Sequence, residues 1–356
     1  MSNVTTMTLP AIKGGVLALA AAVLFGLSTP LVQAFGVGLA PFFTAALLYA
    51  GAAFIGALVR QPVRAEAALT RADLPRLGLI AAFGAVLGPV ALAWGLQNTS
   101  GTSASLMLTL EALFTAALAR ALYRETMDKR VWTAMLLVLA GGIALIADRG
   151  LAGGTQFVGL LAVLAATAAW GVDNTLSRAL AERDPGQVVL AKSALGVTGT
   201  LLLAFLFGET LPAWTQACAL IVIGATGYGL SLRFYLLAQR AFGAARTGSV
   251  FAFAPFIGAV AALALGDRTF SLWMSAGALL MLAGVVLHLA ETHEHEHSHE
   301  AMAHEHAHTH DDGHHDHAHD PMPVGSHNHW HEHAPTTHRH AHTPDLHHQH
   351  DHKEES

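Results

Sequence analysis

Cysteine and charge are scarce in this chain of 356 residues, and both shortages restrict what it can be. The one cysteine, Cys218, lies within an apolar run, which excludes a disulfide inside the chain. Charged residues make up 12% of the sequence, roughly half of the share in an average soluble domain, whereas hydrophobic residues make up 53%. This composition excludes an ordinary soluble protein and indicates a polytopic membrane protein.

Motifs of enzymes and of nucleic-acid-binding proteins are absent as well. The sequence contains no phosphate-binding glycine loop, no catalytic-triad pattern and no basic patch for a nucleic acid. We therefore expect a protein that is not an enzyme, requires no cofactor and binds no nucleic acid. The first twelve residues show no cleavage site of a signal peptide, so the apolar run 14–33 is interpreted as the first membrane helix.

Charge and histidine divide the chain into two unlike parts. Residues 1–290 carry 17 Lys and Arg against 11 Asp and Glu, whereas residues 291–356 carry 2 against 14. Of the 24 histidines, all except His288 lie in the second part. The sequence therefore predicts a membrane domain followed by a tail. The tail cannot form an apolar core, and we expect it to be disordered.

Apolar runs of membrane-spanning length recur through the first part. They lie near 14–33, 41–59, 74–96, 102–122, 131–147, 157–178, 187–207, 214–238, 247–266 and 270–290. About twenty helical residues cross the hydrocarbon core of a bilayer. The predicted fold class is therefore all-α integral membrane, with about ten transmembrane helices.

Lys and Arg are distributed unequally between the two sides of these helices. With a cytoplasmic N-terminus, thirteen of them fall in cytoplasmic segments, and only Arg149 and Arg268 fall on the opposite side. Cytoplasmic loops of membrane proteins are enriched in Lys and Arg. We therefore predict a multi-pass protein of the cell (inner) membrane with both termini in the cytoplasm.

The membrane part repeats itself. LALAAAVLFGLSTPLVQ at 17–33 aligns with AVLAATAAWGVDNTLSR at 162–178, and LTLEALFTAALA at 108–119 aligns with FAFAPFIGAVAA at 251–262. Five helices per unit is an odd number, so the two units are predicted to be inverted, as in many transporters whose substrate site lies near the midplane. The predicted divisions are a cytoplasmic N-terminus at 1–12, repeats at 13–148 and 149–290, and the tail at 291–356.

Two motifs carry a resemblance to a known family. Phe25-Gly26 and Trp170-Gly171 lie in the opening helix of each repeat, and the stretch SASLMLTLEALFTAALARALYRE ends at Glu125. With them the chain resembles the EamA-like family of drug/metabolite transporters over about 14–290. The resemblance implies ten helices in two repeats and movement of small metabolites, often outward and often against protons. The sequence departs from the family pattern at Ala254, where an acid is expected before Pro255.

Glu111 is the single charge between Thr102 and Ala119, about halfway through the predicted helix. A charge at that depth costs roughly 2.5–3.5 kcal/mol on insertion scales, so such residues usually face a cavity or a partner. Ser103 and Thr115 share its helix face at multiples of four residues. We expect Glu111 to face a cavity between the repeats and to exchange a proton with the substrate.

Three more charges lie within the predicted spans, namely Asp173, Lys192 and Arg233. Pairing of Asp173 with Lys192 or with Arg233 would reduce their cost in the membrane. Such a pair could be a pin between helices, a cytoplasmic gate, or part of a pocket for an anionic substrate, and the two cations could also extend to the surface. Asn174 is expected to line the pathway, whereas Trp170 is expected to be a packing or interfacial residue.

The tail alternates histidine with acidic or small residues, and imidazole is a good ligand for Zn, Ni and Co. The candidate metal ligands are His293, His295, His297, His299, His304, His306, His308, His310, His314, His315, His317 and His319. Binding of Zn, Ni or Co by the tail is one interpretation, and a tolerated low-complexity tract is the other.

The sequence favours a secondary active transporter that exports small organic metabolites by alternating access. The alternatives are a divalent metal-ion transporter with the tail as metal buffer, and a membrane sensor of metal or pH that transports nothing. Only Glu111 and Asp173 are deep candidate metal ligands in the spans, which favours an organic cargo. The expected partners are a small-molecule substrate, the lipid bilayer and divalent metal ions at the tail, with a homodimer left open.

Overall fold

Helices form the membrane part of the chain, as its hydropathy predicts. The computed structural model describes residues 9–60, 67–123, 129–180, 183–242, 244–269, 271–289, 294–299, 302–308, 327–333 and 336–341. The helices are α1 (Leu9–Phe35), α2 (Pro41–Leu58), α3 (Leu74–Ala81), α4 (Gly88–Asn98), α5 (Gly101–Met107), α6 (Leu110–Tyr123), α7 (Lys129–Ala152), α8 (Gly154–Ser177), α9 (Pro185–Leu206), α10 (Trp214–Ile223), α11 (Ser231–Phe242), α12 (Ala244–Phe251), α13 (Ala254–Ala264) and α14 (Leu272–Leu289).

These elements combine into the predicted number of membrane spans. Within the described residues, nine helical stretches are long and apolar enough to cross a membrane, and a slightly shorter tenth lies at Leu272–His288. Four spans are made of two helices each, namely α3 with α4, α5 with α6, α10 with α11, and α12 with α13. The predicted all-α membrane fold of about ten helices in two repeats is confirmed, with α1 opening the first repeat and α8 the second.

Irregular helix geometry occurs at corresponding places in the two repeats. A π-helical segment joins α3 to α4 at Ala82–Leu87, and another joins α10 to α11 at Gly224–Leu230. A turn separates α5 from α6 at 108–109, and another separates α12 from α13 at 252–253. Each pair is separated by close to the repeat offset seen in the sequence. The repeats therefore share their interruptions as well as their spans.

The two repeats pack against each other in a reciprocal way. α1 contacts α11 and α13 of the second repeat, and α8 makes the corresponding contacts with α4 and α6 of the first. α2 packs on α9, and α7 packs on α14. Glycines bring α7 and α14 close, since a Cβ added to Gly141 would lie 2.6 Å from the carbonyl oxygen of Gly277. Small residues at such contacts allow membrane helices to approach closely.

Polar contacts link the two repeats at both ends of the helix bundle. At the arginine-rich end, Arg183 Nε lies 3.1 Å from Asp73 Oδ2. At the opposite end, Glu209 accepts hydrogen bonds from the backbone N–H groups of Phe42 and Phe43 at 3.0 and 2.8 Å, at the first turn of α2. These N–H groups have no partner within their own helix. Both ends are therefore joined by bonds that cross from one repeat to the other.

Parts of the tail differ from the disorder that its composition predicts. Four segments form strands, β1 (Glu294–His299), β2 (Met302–His308), β3 (His327–His333) and β4 (Thr336–Ala341). β1 pairs with β4 and β2 with β3, both antiparallel. Alternation of histidine with another residue has the two-residue period of a strand, which explains why these four segments can pair.

Candidate substrate cavity

A cavity lies at the interface between the repeats, and residues of both repeats surround it. Its six aromatic wall residues are Phe25, Tyr49, Trp170, Tyr228, Tyr235 and Phe251. Its polar wall residues are Glu111, Asp173, Asn174, Lys192 and Ser231. Both repeats contribute to this wall, so the cavity exists only because the repeats face each other.

Glu111 lies on the cavity wall, as the sequence predicts. The turn at 108–109 places it in the first turn of α6, where its own N–H bonds to the carbonyl of Leu108 at 3.0 Å. The positive end of a helix dipole favours a carboxylate at this position. Asn174 of α8 donates a side-chain hydrogen bond to Glu111 Oε1. No ion pair to Glu111 is found among the described residues, so the carboxylate is left without a cation of its own.

Asp173 and Lys192 form the buried ion pair of the cavity. Lys192 Nζ lies 2.5 Å from Asp173 Oδ2, and the two residues are 5% and 4% exposed. Ser177 also donates to Asp173 Oδ1 at 3.2 Å. The pair joins α8 to α9, both of the second repeat. Of the two predicted partners of Asp173, Lys192 is confirmed.

Arg233 takes a different partner from the one proposed for it. Its Nη1 donates at 2.7 Å to the carbonyl of Val59, the residue that ends α2. Carbonyls at the end of a helix lack an intrahelical donor, so they attract a cation from a neighbouring helix. The alternative pairing of Arg233 with Asp173 is wrong, and Arg233 instead ties α11 to the first repeat.

The π-helical segment Ala82–Leu87 shapes one side of the cavity. The carbonyl of Gly84 within it accepts hydrogen bonds from the Tyr49 hydroxyl and from Trp170 Nε1, the latter at 3.0 Å. A Cβ added to Gly84 would lie 2.2 Å from Asp173 Oδ2, so only glycine leaves room for that carboxylate. π-bulges often occur at functional sites. Here the π-helical segment bonds to the side chains of Tyr49 and Trp170 and leaves room for the carboxylate of Asp173.

The aromatic wall is continuous. Phe25 contacts Trp170, Tyr228 and Phe251 with ring centroids 5.9, 6.0 and 5.4 Å apart. Tyr235 extends the wall from Phe251, at a centroid distance of 5.0 Å. Most of these pairs meet edge to face, the arrangement that aromatic quadrupoles favour. The wall thus presents ring surfaces from both repeats to the cavity.

Three of the predicted pathway residues, namely Ser103, Thr115 and Arg233, do not line the cavity. Ser103 belongs to the first turn of α5, where its N–H donates at 3.1 Å to the capping hydroxyl of Ser100. Thr115 lies on the side of α6 that packs against α8 near Gly171. The prediction assumed one continuous helix, and the turn at 108–109 separates Ser103 from Glu111. Thr115 lies on α6 together with Glu111, so this turn does not account for its position. Only Glu111 of this face reaches the cavity.

Sequence reasoning missed the aromatic wall. Trp170, which it interpreted as a packing or interfacial residue, is packed in the core and also lines the cavity. Phe25 and Trp170 nevertheless carried a signal, because each precedes a glycine in the opening helix of its repeat. Residues at corresponding positions of inverted repeats approach the same central axis. The matched pair could have been assigned to the repeat interface, where both rings in fact lie.

The predicted metal ligands of the tail divide between strands and undescribed residues. His295, His297 and His299 lie on β1, and His304, His306 and His308 lie on β2. The other candidates, His293, His310, His314, His315, His317 and His319, lie outside the described residues. Within the described part of the chain, no group of three or more His, Cys, Asp or Glu side chains is placed to hold a metal ion.

Comparison with known proteins identifies the family. The model of the EamA-like transporter family matches residues 12–147 and again 157–290. This chain belongs to the EamA-like transporter family. Its two matches correspond to the two halves of the helix bundle, and membership makes the chain a membrane transporter.

One protein sequence and one solved structure are also similar to this chain. An uncharacterized transporter of Methanothermobacter thermautotrophicus (strain Delta H) is 27% identical over 237 residues, which cover 64% of this chain and 68% of that protein. A crystal structure described only as "Crystal structure of protein" superposes with a TM-score of 0.54 at 20% identity, covering 77% of this chain and 94% of the other. The second similarity concerns the fold alone.

Proposed function

We propose that this EamA-like protein is a secondary active exporter of small organic metabolites, driven by protons. The observation that carries the proposal is the cavity between the repeats, whose wall holds the carboxylate Glu111 without a cationic partner among the described residues. A carboxylate in this setting can bind either a proton or a substrate group. Exchange of one for the other would couple the two movements.

In this proposal the substrate crosses the membrane by alternating access, with the cavity opening to one side at a time. The cavity walls come from both repeats, and polar bonds link the repeats at both ends of the bundle. Rocking of one repeat against the other would open one end while the other stays closed. The arginine-rich end, at Asp73 and Arg183, faces the cytoplasm in this proposal, following the distribution of Lys and Arg.

An organic cargo fits the wall better than a metal ion does. The cavity offers aromatic rings, one ion pair and the carboxylate of Glu111, and no histidine or cysteine lines it within the described residues. Transition-metal sites draw on imidazole, thiolate or several carboxylates. The alternative of a divalent metal transporter therefore lacks a pathway in this part of the chain.

The test uses purified protein in liposomes that contain a panel of amino acids, amines, organic acids and nucleosides. A proton gradient is imposed, and mass spectrometry identifies any solute that moves against its own concentration gradient. We expect at least one solute to accumulate, and we expect Glu111→Gln to abolish that accumulation because the amide cannot carry a proton. Dissipation of the gradient with an ionophore should have the same effect.

Asp148→Asn is the matched control, since Asp148 does not line the cavity and asparagine keeps the side-chain oxygen that accepts from the Ser271 hydroxyl. This variant should retain proton-driven accumulation. Retention of accumulation by Glu111→Gln would contradict the proposed role of this carboxylate. A panel in which no solute moves faster than in protein-free liposomes would contradict the exporter itself.

A further inference from the structure

We propose that the ligand of the central cavity is a small organic cation, such as an alkylamine or a quaternary ammonium compound; this proposal rests on the transporter function proposed above. The charge of the wall is the first reason. Lys192 is the one cation on it among the described residues, and it is committed to Asp173 at 2.5 Å. Separating that pair would strand two buried charges. What remains is the negative charge of Glu111.

The hydrogen-bond donors of the wall are the second reason. Trp170 Nε1 and the Tyr49 hydroxyl donate to the carbonyl of Gly84, and the Ser231 hydroxyl donates to the carbonyl of Ala21 at 2.8 Å. The side-chain amide of Asn174 donates to Glu111. A substrate carboxylate would have to take donors away from these partners, which is costly in a buried site. The Tyr228 hydroxyl has no hydrogen-bond partner among the described residues and could donate or accept. The other donors named here are already bonded, so the wall offers few free donors to an anion.

The aromatic rings are the third reason. Ring faces carry negative electrostatic potential and attract cations, with a gain of roughly 0.5–2 kcal/mol for each well-placed ring. Phe25, Trp170, Tyr228 and Phe251 form one connected ring surface on the same wall as Glu111. Apolar groups on the cation would pack against these rings. The carboxylate would balance its charge.

Matched isosteres separate charge from shape in the test. Choline and glycine betaine are each compared with the carbon isostere in which a quaternary carbon replaces the ammonium nitrogen. For betaine that isostere is tert-butylacetate. Binding to the purified full-length protein is measured by calorimetry, with tetraethylammonium and benzyltrimethylammonium as larger cations. We expect the cations to bind roughly tenfold or more tightly than the neutral isostere of choline, as expected for about one or two cation–π contacts. Betaine should bind less tightly than choline, and tert-butylacetate least.

Two variants connect the preference to this cavity. Phe25→Leu should weaken choline binding by roughly threefold to tenfold because one ring is lost, whereas Phe54→Leu should leave it unchanged because Phe54 is 59% exposed on the outside of α2. Choline and a proton compete for one carboxylate, so affinity should rise with pH. Glu111→Gln should weaken binding and remove that pH dependence.

The proposal is overturned if no cation binds, or if the neutral and anionic isosteres bind as well as choline. It is also overturned if the metabolite panel shows proton-driven export of an anion while the protein binds choline no more tightly than its neutral isostere. That last result leaves the exporter intact, so failure of the ligand class is distinguishable from failure of the function. These outcomes do not depend on the stability of a variant, because the binding of the isosteres is measured on the unmodified chain.

Discussion

Individual charges decide the chemistry of this protein because so few of them lie within the bundle. Glu111, Asp173 and Lys192 all reach one cavity, although they lie on different helices. Asp173 and Lys192 neutralise each other, and Glu111 accepts a hydrogen bond from a side-chain amide. A bilayer tolerates such residues only where protein or water surrounds them. We therefore expect the ion pair to stabilise the bundle and the remaining carboxylate to be available for function.

The first prediction concerns the ion pair. Asp173→Asn leaves Lys192 charged and buried, and loss of one partner of a buried pair typically costs about 3–5 kcal/mol. Adding Lys192→Met removes the stranded charge with little change of volume. The double variant should therefore unfold at a higher temperature than Asp173→Asn alone, as measured by thermal unfolding in detergent.

Arg233→Met is the comparison for that experiment, because Arg233 bonds to a backbone carbonyl and not to Asp173. Combined with Asp173→Asn, it should add a further loss of stability and should not restore any. A double Asp173→Asn/Lys192→Met variant that is no more stable than the single variant would show that the pair does not govern stability.

Glu111 and the aromatic wall show which cavity-lining residues can be predicted from the sequence and which cannot. A lone carboxylate in an apolar run is conspicuous, because burial of a charge is costly and demands an explanation. A phenylalanine or tyrosine in the same run is not, since lipid-facing, packing and cavity-lining rings give the same apolar pattern. Phe25 and Tyr228 therefore become identifiable only when the repeats are placed against each other.

Interruptions within the helices determine which side chains of a membrane span share a face. The turn at 252–253 is signalled in the sequence by Pro255, which cannot donate a helical hydrogen bond. The turn at 108–109 has no proline and is revealed only by comparison of the two repeats. A hydropathy profile shows that a stretch is long enough to span the bilayer, but it does not show a short break in the helix within that stretch. For this reason the spans were predicted correctly and the face shared by Ser103 and Glu111 was not.

Helix N-termini at the end opposite the arginines are capped by acids of the other repeat. Asp267 Oδ2 accepts from the N–H and hydroxyl of Thr102 at 2.9 and 2.8 Å, at the start of α5. Its Oδ1 accepts from Thr269 N–H and hydroxyl at 3.0 and 2.5 Å. Partial burial raises the pKa of Asp267, but the hydrogen bonds from Thr269 and Thr102 outweigh it, and the pKa is lowered from its ordinary value.

The second prediction follows from this cap. Asp267→Asn replaces one acceptor oxygen by a donor, and we expect a loss of about 1–2 kcal/mol at neutral pH. A lowered pKa in the folded state means that the contribution is complete above the unfolded value near about pH 4 and is lost as the pH falls through the folded pKa. Thermal unfolding of both proteins at neutral and strongly acidic pH measures this. An equal difference at both values would show that the ionised carboxylate is not the stabilising species.

The whole molecule combines a transporter bundle with a histidine-rich extension. In the strands of the tail, the backbone register sets His297 opposite His338 and His304 opposite His331. Opposite residues of an antiparallel pair have Cα atoms roughly 4.5–5.5 Å apart. This register supports the proposal that the tail binds Zn, Ni or Co.

The third prediction separates these two parts. A chain that ends at Ala290 should fold and retain proton-driven transport, whereas the full chain should bind Zn or Ni more tightly than the shortened one. Neutral imidazole is the ligand, so the difference should shrink as the pH falls through about 6.5. Calorimetry of both chains in detergent checks this. Equal metal binding by the two chains would exclude the tail as a metal site, and loss of transport on truncation would contradict the division.

The central claim is that one cavity between two repeats is reached alternately from the two sides of the membrane, and the single cysteine makes a direct test feasible. In a Cys218→Ser background, Leu232→Cys places a thiol on the cavity wall, and Leu211→Cys places one on the exposed connection between α9 and α10. A membrane-impermeant thiol reagent is applied to oriented vesicles from either side. We expect Leu232→Cys to react from both sides, at rates that shift in opposite directions when the proton gradient is reversed, and Leu211→Cys to react from one side only. Reaction of Leu232→Cys from a single side under every gradient would contradict alternating access through this cavity.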